Sequence, residues 1–141
     1  MRSWKEDNLL RESRKTVAKS RRSLDTLIKN RVKKYGPTCD LNDIDVSGIT
    51  DMSYLFYDTG FNGDISEWDV SNVKNMERMF FGSKFNGDIS NWDVSRVENM
   101  GCMFEGSKFD GDISNWDISN VKDADGMFDD SPLEGNEPDW Y

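Results

Sequence analysis

FNGDISNWDVSRVENMGCMF, residues 85–104, decides the fold, because it recurs on both sides at a spacing of 24. Residues 61–80 read FNGDISEWDVSNVKNMERMF and residues 109–128 read FDGDISNWDISNVKDADGMF. A step of 24 toward the N-terminus reaches a divergent copy from Pro37, in which Asp40, Leu41, Ile44, Asp45, Val46, Ser47, Ile49, Met52, Leu55 and Phe56 stand at the equivalent positions. A step toward the C-terminus reaches LEGNEPDW, whose Trp140 follows Trp116 by 24. The units are therefore 37–60, 61–84, 85–108, 109–132 and a partial 133–141.

A fixed period in the twenties is the mark of a solenoid: one unit cannot bury its apolar face alone, so neighbours stack into a continuous core. Within the unit, Asn62-Gly63-Asp64 carries turn chemistry. Ile65 to Val70 is short and rich in β-branched and aromatic residues, which predicts a strand. Ser71 stands where a helix N-cap belongs, and Val73, Met76, Met79 and Phe80 share one helical face. Gly82 and Gly106, with Asp58 and Asp130, stand where a left-handed residue would close that helix. The expected fold is an α/β repeat: a leucine-rich-repeat-like right-handed solenoid with one short parallel strand and one short helix per unit, plus an N-terminal helix.

The repeat FNGDISNWDVSNV followed by NM and MF resembles that of BspA-type leucine-rich-repeat surface proteins. The resemblance covers residues 37–141 and implies a non-enzymatic binding scaffold, used at cell surfaces in adhesion or host contact.

Charge divides the chain. Residues 1–36 hold twelve Lys and Arg against four acids, whereas residues 37–141 hold six against twenty-three. The basic part is compatible with a helix over residues 5–35. Its stronger half is SLDTLIKNRVKKYGP, with Ser23 able to cap the start and Gly36-Pro37 able to end it. Two readings stand side by side: the helix covers the open end of the solenoid, or Arg11, Arg14, Lys15, Arg21 and Arg22 contact a partner or another copy of the chain through residues 5–35. Nucleic acid is a weak candidate partner, since only Trp4 interleaves aromatic surface with those cations.

Composition removes other classes. The chain has no histidine, so Cys102 lacks the usual activating base, and its repeat equivalents are Arg78 and Gly126. The two cysteines, Cys39 and Cys102, fit neither a disulfide framework nor a metal spacing. The carboxylate rows Asp64/Asp88/Asp112 and Asp69/Asp93/Asp117 match no calcium-loop pattern, and hydrogen bonds to turn N–H groups are the expected compensation. No catalytic residue, metal or cofactor is expected, and no small-molecule substrate. The opening residues hold no apolar run of signal-peptide length, and no segment approaches a membrane span. A cytoplasmic protein is expected, with cell surface or virion as the alternative that the resemblance implies.

Function is sought where the copies differ. Glu67, Asn91 and Asn115 vary on the strand segment, and Arg78 and Cys102 on the helix segment. Trp68, Trp92 and Trp116 form a row that is either core filler or an exposed binding stripe. The expected function is a non-catalytic protein-protein interaction module. The rivals are an acidic inhibitor that imitates nucleic acid, motivated by the charge of residues 37–141, and a structural or surface component.

Overall fold

In a computed structural model that describes residues 15–141, the 24-residue period becomes a hydrogen-bond register. The N–H groups of Met76, Arg78, Phe80 and Gly82 donate to the carbonyls of Asn99, Gly101, Met103 and Glu105 at 2.8–3.0 Å. Met52, Tyr54, Phe56 and Asp58 make the same four bonds one unit earlier, and Met100, Cys102, Phe104 and Gly106 one unit later. Parallel bridges Asp51↔Asn75, Asn75↔Asn99 and Asn99↔Asp123 mark the shared register. Asparagine side chains add a second ladder, Asn62 Oδ1 accepting from the Asn86 N–H and Asn86 Oδ1 from the Asp110 N–H, each at 2.8 Å.

The conformation inside each unit differs from the sequence reading. Residues 65–70 form no strand and residues 71–80 no helix; turns at 66–67, 71–72 and 77–80 and a bridge at Asn75 take their place. Asp64 Oδ1 accepts from the Ser66 N–H, Asp69 Oδ1 from the Ser71 N–H, and Asn75 Oδ1 from the Glu77 N–H, three side-chain turns per unit. Such local bonds are the competitor that Asp, Asn and Ser offer to regular structure. Ser71 is thus a donor to Asp69 and not a helix cap. Positive φ at Arg78 (52°) and Gly82 (64°) would break any helix here. Asp58, Gly82, Gly106 and Asp130 do take the left-handed conformation expected of them, but within a turn ladder.

Regular elements lie only at the N-terminal side of the described residues. They are β1 (Thr16–Val17), α1 (Arg21–Tyr35) and β2 (Ile44–Asp45), with β1 and β2 paired in parallel, Thr16 against Ile44. The start of α1 corrects the expectation that Ser23 caps it. Ser20 is the cap: its Oγ accepts from the Ser23 N–H while Ser23 Oγ accepts from the Ser20 N–H. Gly36, at φ 95°, closes the helix with its N–H on the Val32 carbonyl. Lys15 to Lys19 are not helical, because Thr16 and Val17 pair with the first repeat; residues 5–14 of the expected long helix lie outside the described residues.

Leu24 and Ile28 from α1 enter the same core cluster as Leu41, Ile44 and Met52 of the first unit. Arg31 fixes the helix there, its guanidinium 2.6 Å from both carboxylate oxygens of half-buried Asp43. The rest of the core is the repeat itself. Phe56, Phe80, Phe104 and Phe128 stack face to face at centroid spacings of 5.6–5.9 Å, and Phe61, Phe85 and Phe109 form a parallel row at 6.2 Å. Such ring pairs add about 0.5–1.5 kcal/mol each beyond the area they bury.

Candidate functional site

The tryptophan row is settled by burial. Trp68, Trp92 and Trp116 are 4–5 % exposed, so they present no stripe to a partner. Each indole N–H donates to a carbonyl of the preceding unit, Trp68 to Leu41, Trp92 to Ile65 and Trp116 to Ile89, at 2.9–3.0 Å. Trp140 repeats the bond to Ile113, which brings the partial fifth copy into register. Trp92→Phe keeps most of the packing and removes one unit-to-unit hydrogen bond, leaving the Ile65 carbonyl with the Trp68 N–H of its own turn at 3.2 Å. It is expected to cost about 1 kcal/mol in urea denaturation, well below the loss from Trp92→Ala.

The carboxylate rows are also absorbed by structure. Asp88 and Asp112 hold Ser90 and Ser114 through both hydroxyl and N–H at 2.6–3.0 Å. The serine hydroxyl, then the backbone N–H, holds Asp45, Asp88, Asp93, Asp112 and Asp117 below the ordinary aspartate range. A carboxyl whose folded pKa is depressed stabilises the fold above its unfolded value, near 3.9, and loses that contribution as pH falls toward the folded value. The urea midpoint should therefore be flat toward neutrality and fall below about pH 4. Asp88→Asn with Asp112→Asn should keep the turns, as Asn75 and Asn99 do naturally, and flatten the acid limb. An unchanged limb would contradict this origin.

With the repeated residues committed to core and turns, what distinguishes one unit's surface from the next is carried by the varying ones. Glu67, Asn91 and Asn115 lie exposed, one per unit, on a single track. The second track follows the turn ladder, where Tyr54, Arg78, Cys102 and Gly126 are equivalent and all have φ between 52° and 66°. Beside it run Tyr57, Phe81, Glu105 and Asp129. At the first two units these positions make one aromatic patch with Arg78 beside it, its guanidinium paired with Glu77 at 2.8 Å. Tyr54 and Tyr57 are 44 % and 42 % exposed, with rings 5.4 Å apart. Phe81 stacks on Tyr57 at 5.0 Å and 11°. Arg78 lies 5.8 Å over the Tyr54 ring and donates to its hydroxyl at 3.0 Å. The sequence reading singled out Arg78 but missed Tyr54, Tyr57 and Phe81. The signal available was their repeat equivalence, which puts them on the same outward track.

Residues 25–140, most of the chain, match the family model described as "Mycoplasma protein of unknown function, DUF285". The chain belongs to that family. No curated protein and no solved structure matches it. The match opens inside α1, so most of the helix is part of what this DUF285 chain shares with its family.

The remaining candidates are dispersed. Arg21 bonds to Asp25 at 3.1 Å and to the Asp51 carbonyl at 3.3 Å, which ties it to its own first repeat. Lys15 and Arg22 are exposed, and Arg11 and Arg14 lie outside the described residues. Burial, then the neighbouring Glu105, pushes the Cys102 thiol up, and burial does the same to Cys39. Neither is activated as a nucleophile. Among the described residues no group of three or more His, Cys, Asp or Glu is placed to hold a metal, and no helix is long and apolar enough to cross a membrane.

Proposed function

We propose that this DUF285 chain is a short BspA-like solenoid of the leucine-rich-repeat type that acts as a non-catalytic protein-binding module. The observation that carries this reading is the Tyr54-Tyr57-Arg78-Phe81 patch. Tyrosine and arginine are the residues that dominate interface energetics, since each offers large rigid area together with a polar tip. Here the rings already stack and Arg78 is already oriented, so little side-chain entropy remains to be lost on binding. The backbone beneath is held by unit-to-unit hydrogen bonds, which suits a surface that binds without refolding.

Glu67, Asn91 and Asn115 extend the binding face as polar specificity positions. The absence of histidine and the raised thiols support a role without catalysis. The test is affinity capture from lysate, with crosslinking to locate the contact, using wild type, Tyr57→Ala/Arg78→Glu, and Asn91→Lys. A partner lost about a hundredfold by the first variant, at unchanged melting temperature, supports the reading. Retention of every captured partner by that variant would exclude the patch, and steep salt-dependent displacement by DNA would favour the nucleic-acid-mimic reading instead.

A further inference from the structure

The aromatic patch is separate from a second feature, an open groove of about 500 Å³ between α1 and the first repeat. Ile28, Val32, Leu55, Phe56 and Phe61 make its floor, and Lys29 and Lys33 stand on its rim. The two lysines are exposed, one helical turn apart, and form no hydrogen bond or ion pair with a described residue. Asp25, the acid on the lining, is taken by Arg21 at 3.1 Å. The groove is thus apolar below and positive at its edge.

We propose that this groove binds a free single-chain fatty acid, the alkyl chain along Ile28, Val32 and Leu55 and the carboxylate between Lys29 and Lys33. Its volume of about 500 Å³ falls within the range of small-molecule sites. An alkyl chain suits the floor, which offers few polar groups for a sugar or nucleotide. The two unengaged ammonium groups select an anionic head over a neutral or cationic one. None of the residues of the aromatic patch lines the groove, so this site stands or falls independently of the protein-binding reading.

The test uses the full chain titrated with sodium decanoate below its micellar concentration, followed by calorimetry and by the methyl resonances of Ile28, Val32 and Leu55. Decanol and decyltrimethylammonium serve as neutral and cationic controls. One saturable site is expected, with decanoate bound at least about tenfold more tightly than decyltrimethylammonium. Lys29→Glu with Lys33→Glu should reverse that preference. Gly60→Phe should abolish binding of all three ligands without loss of folding, because Gly60 lines the groove and a Cβ there meets nothing within 4 Å. Absence of saturable decanoate binding, binding that survives Gly60→Phe, or binding only to anionic vesicles would each overturn the proposal.

Discussion

Gly63→Ala is expected to destabilise the protein by about 3 kcal/mol or more and to leave little folded protein at physiological temperature. A Cβ at Gly63 would collide with the Cys39 carbonyl oxygen and lie 2.6 Å from the Phe61 ring. The carbonyl cannot step aside, because it accepts the Asp64 N–H at 3.2 Å and so joins the first repeat to the second. Relief would therefore have to come from separating the two units. Gly87→Ala meets the same ring contact at 2.7 Å, but the nearest backbone oxygen, of Gly63, is 3.1 Å away, so a smaller loss is expected. Gly60→Ala, with open space around its Cβ, is the control and should stay within about 0.5 kcal/mol of wild type. Urea midpoints of the three variants give the ranking. A Gly63 variant as stable as the Gly60 variant would mean that the turn does not approach its neighbour this closely.

Phe80→Ala is expected to cost about 4–5 kcal/mol, at the upper end of buried phenylalanine truncations. Phe80 is fully buried with rings on three sides: Phe56 and Phe104 above and below at 5.6 Å, and Phe85 at 4.5 Å. The cavity it leaves lies mid-stack, where neighbours held by a ladder of inter-unit hydrogen bonds on both sides cannot collapse inward. Phe128→Ala should cost less, about 3 kcal/mol, because Phe128 has a stacked ring on one side only and Tyr141 packs edge-on against it. In a stack whose units contact mainly their neighbours, a central defect also uncouples the units on either side. A double-mutant cycle between Phe80 and Phe104 should give a coupling of about 0.5 kcal/mol or more. Zero coupling would contradict direct stacking of the two rings.

What was legible in the sequence was the period and its purpose. The Phe, Ile, Trp, Val and Met shared by the copies are buried almost without exception, and Asp64, Asp88 and Asp112 serve the turns as their chemistry implies. What was not legible was the path of the backbone between them. Val73, Met76, Met79 and Phe80 recur at helical spacing, yet successive three-residue turns place side chains on one face with nearly the same period. The deciding signal was Asp or Asn two residues before Ser, Glu or Gly, repeated three times per unit, because each pair spends on a side chain the N–H that a helix would give to its own backbone. Positive φ at Tyr54, Arg78 and Cys102 had no signal in residue type, since all three are unusual there. The outward patch was hidden for the same reason: Tyr54 and Tyr57 sit in the divergent first copy, and their exposure follows from the turn path rather than from any local pattern.

Scalar couplings across hydrogen bonds, measured by NMR between amide nitrogen and carbonyl carbon, test the unit-to-unit register most directly. The register predicts correlations from Phe56 to Met79, Phe80 to Met103 and Phe104 to Met127, each at an offset of 23 residues. Correlations from Phe80 to Met76 and from Phe104 to Met100, the four-residue offset of a helix, would contradict it.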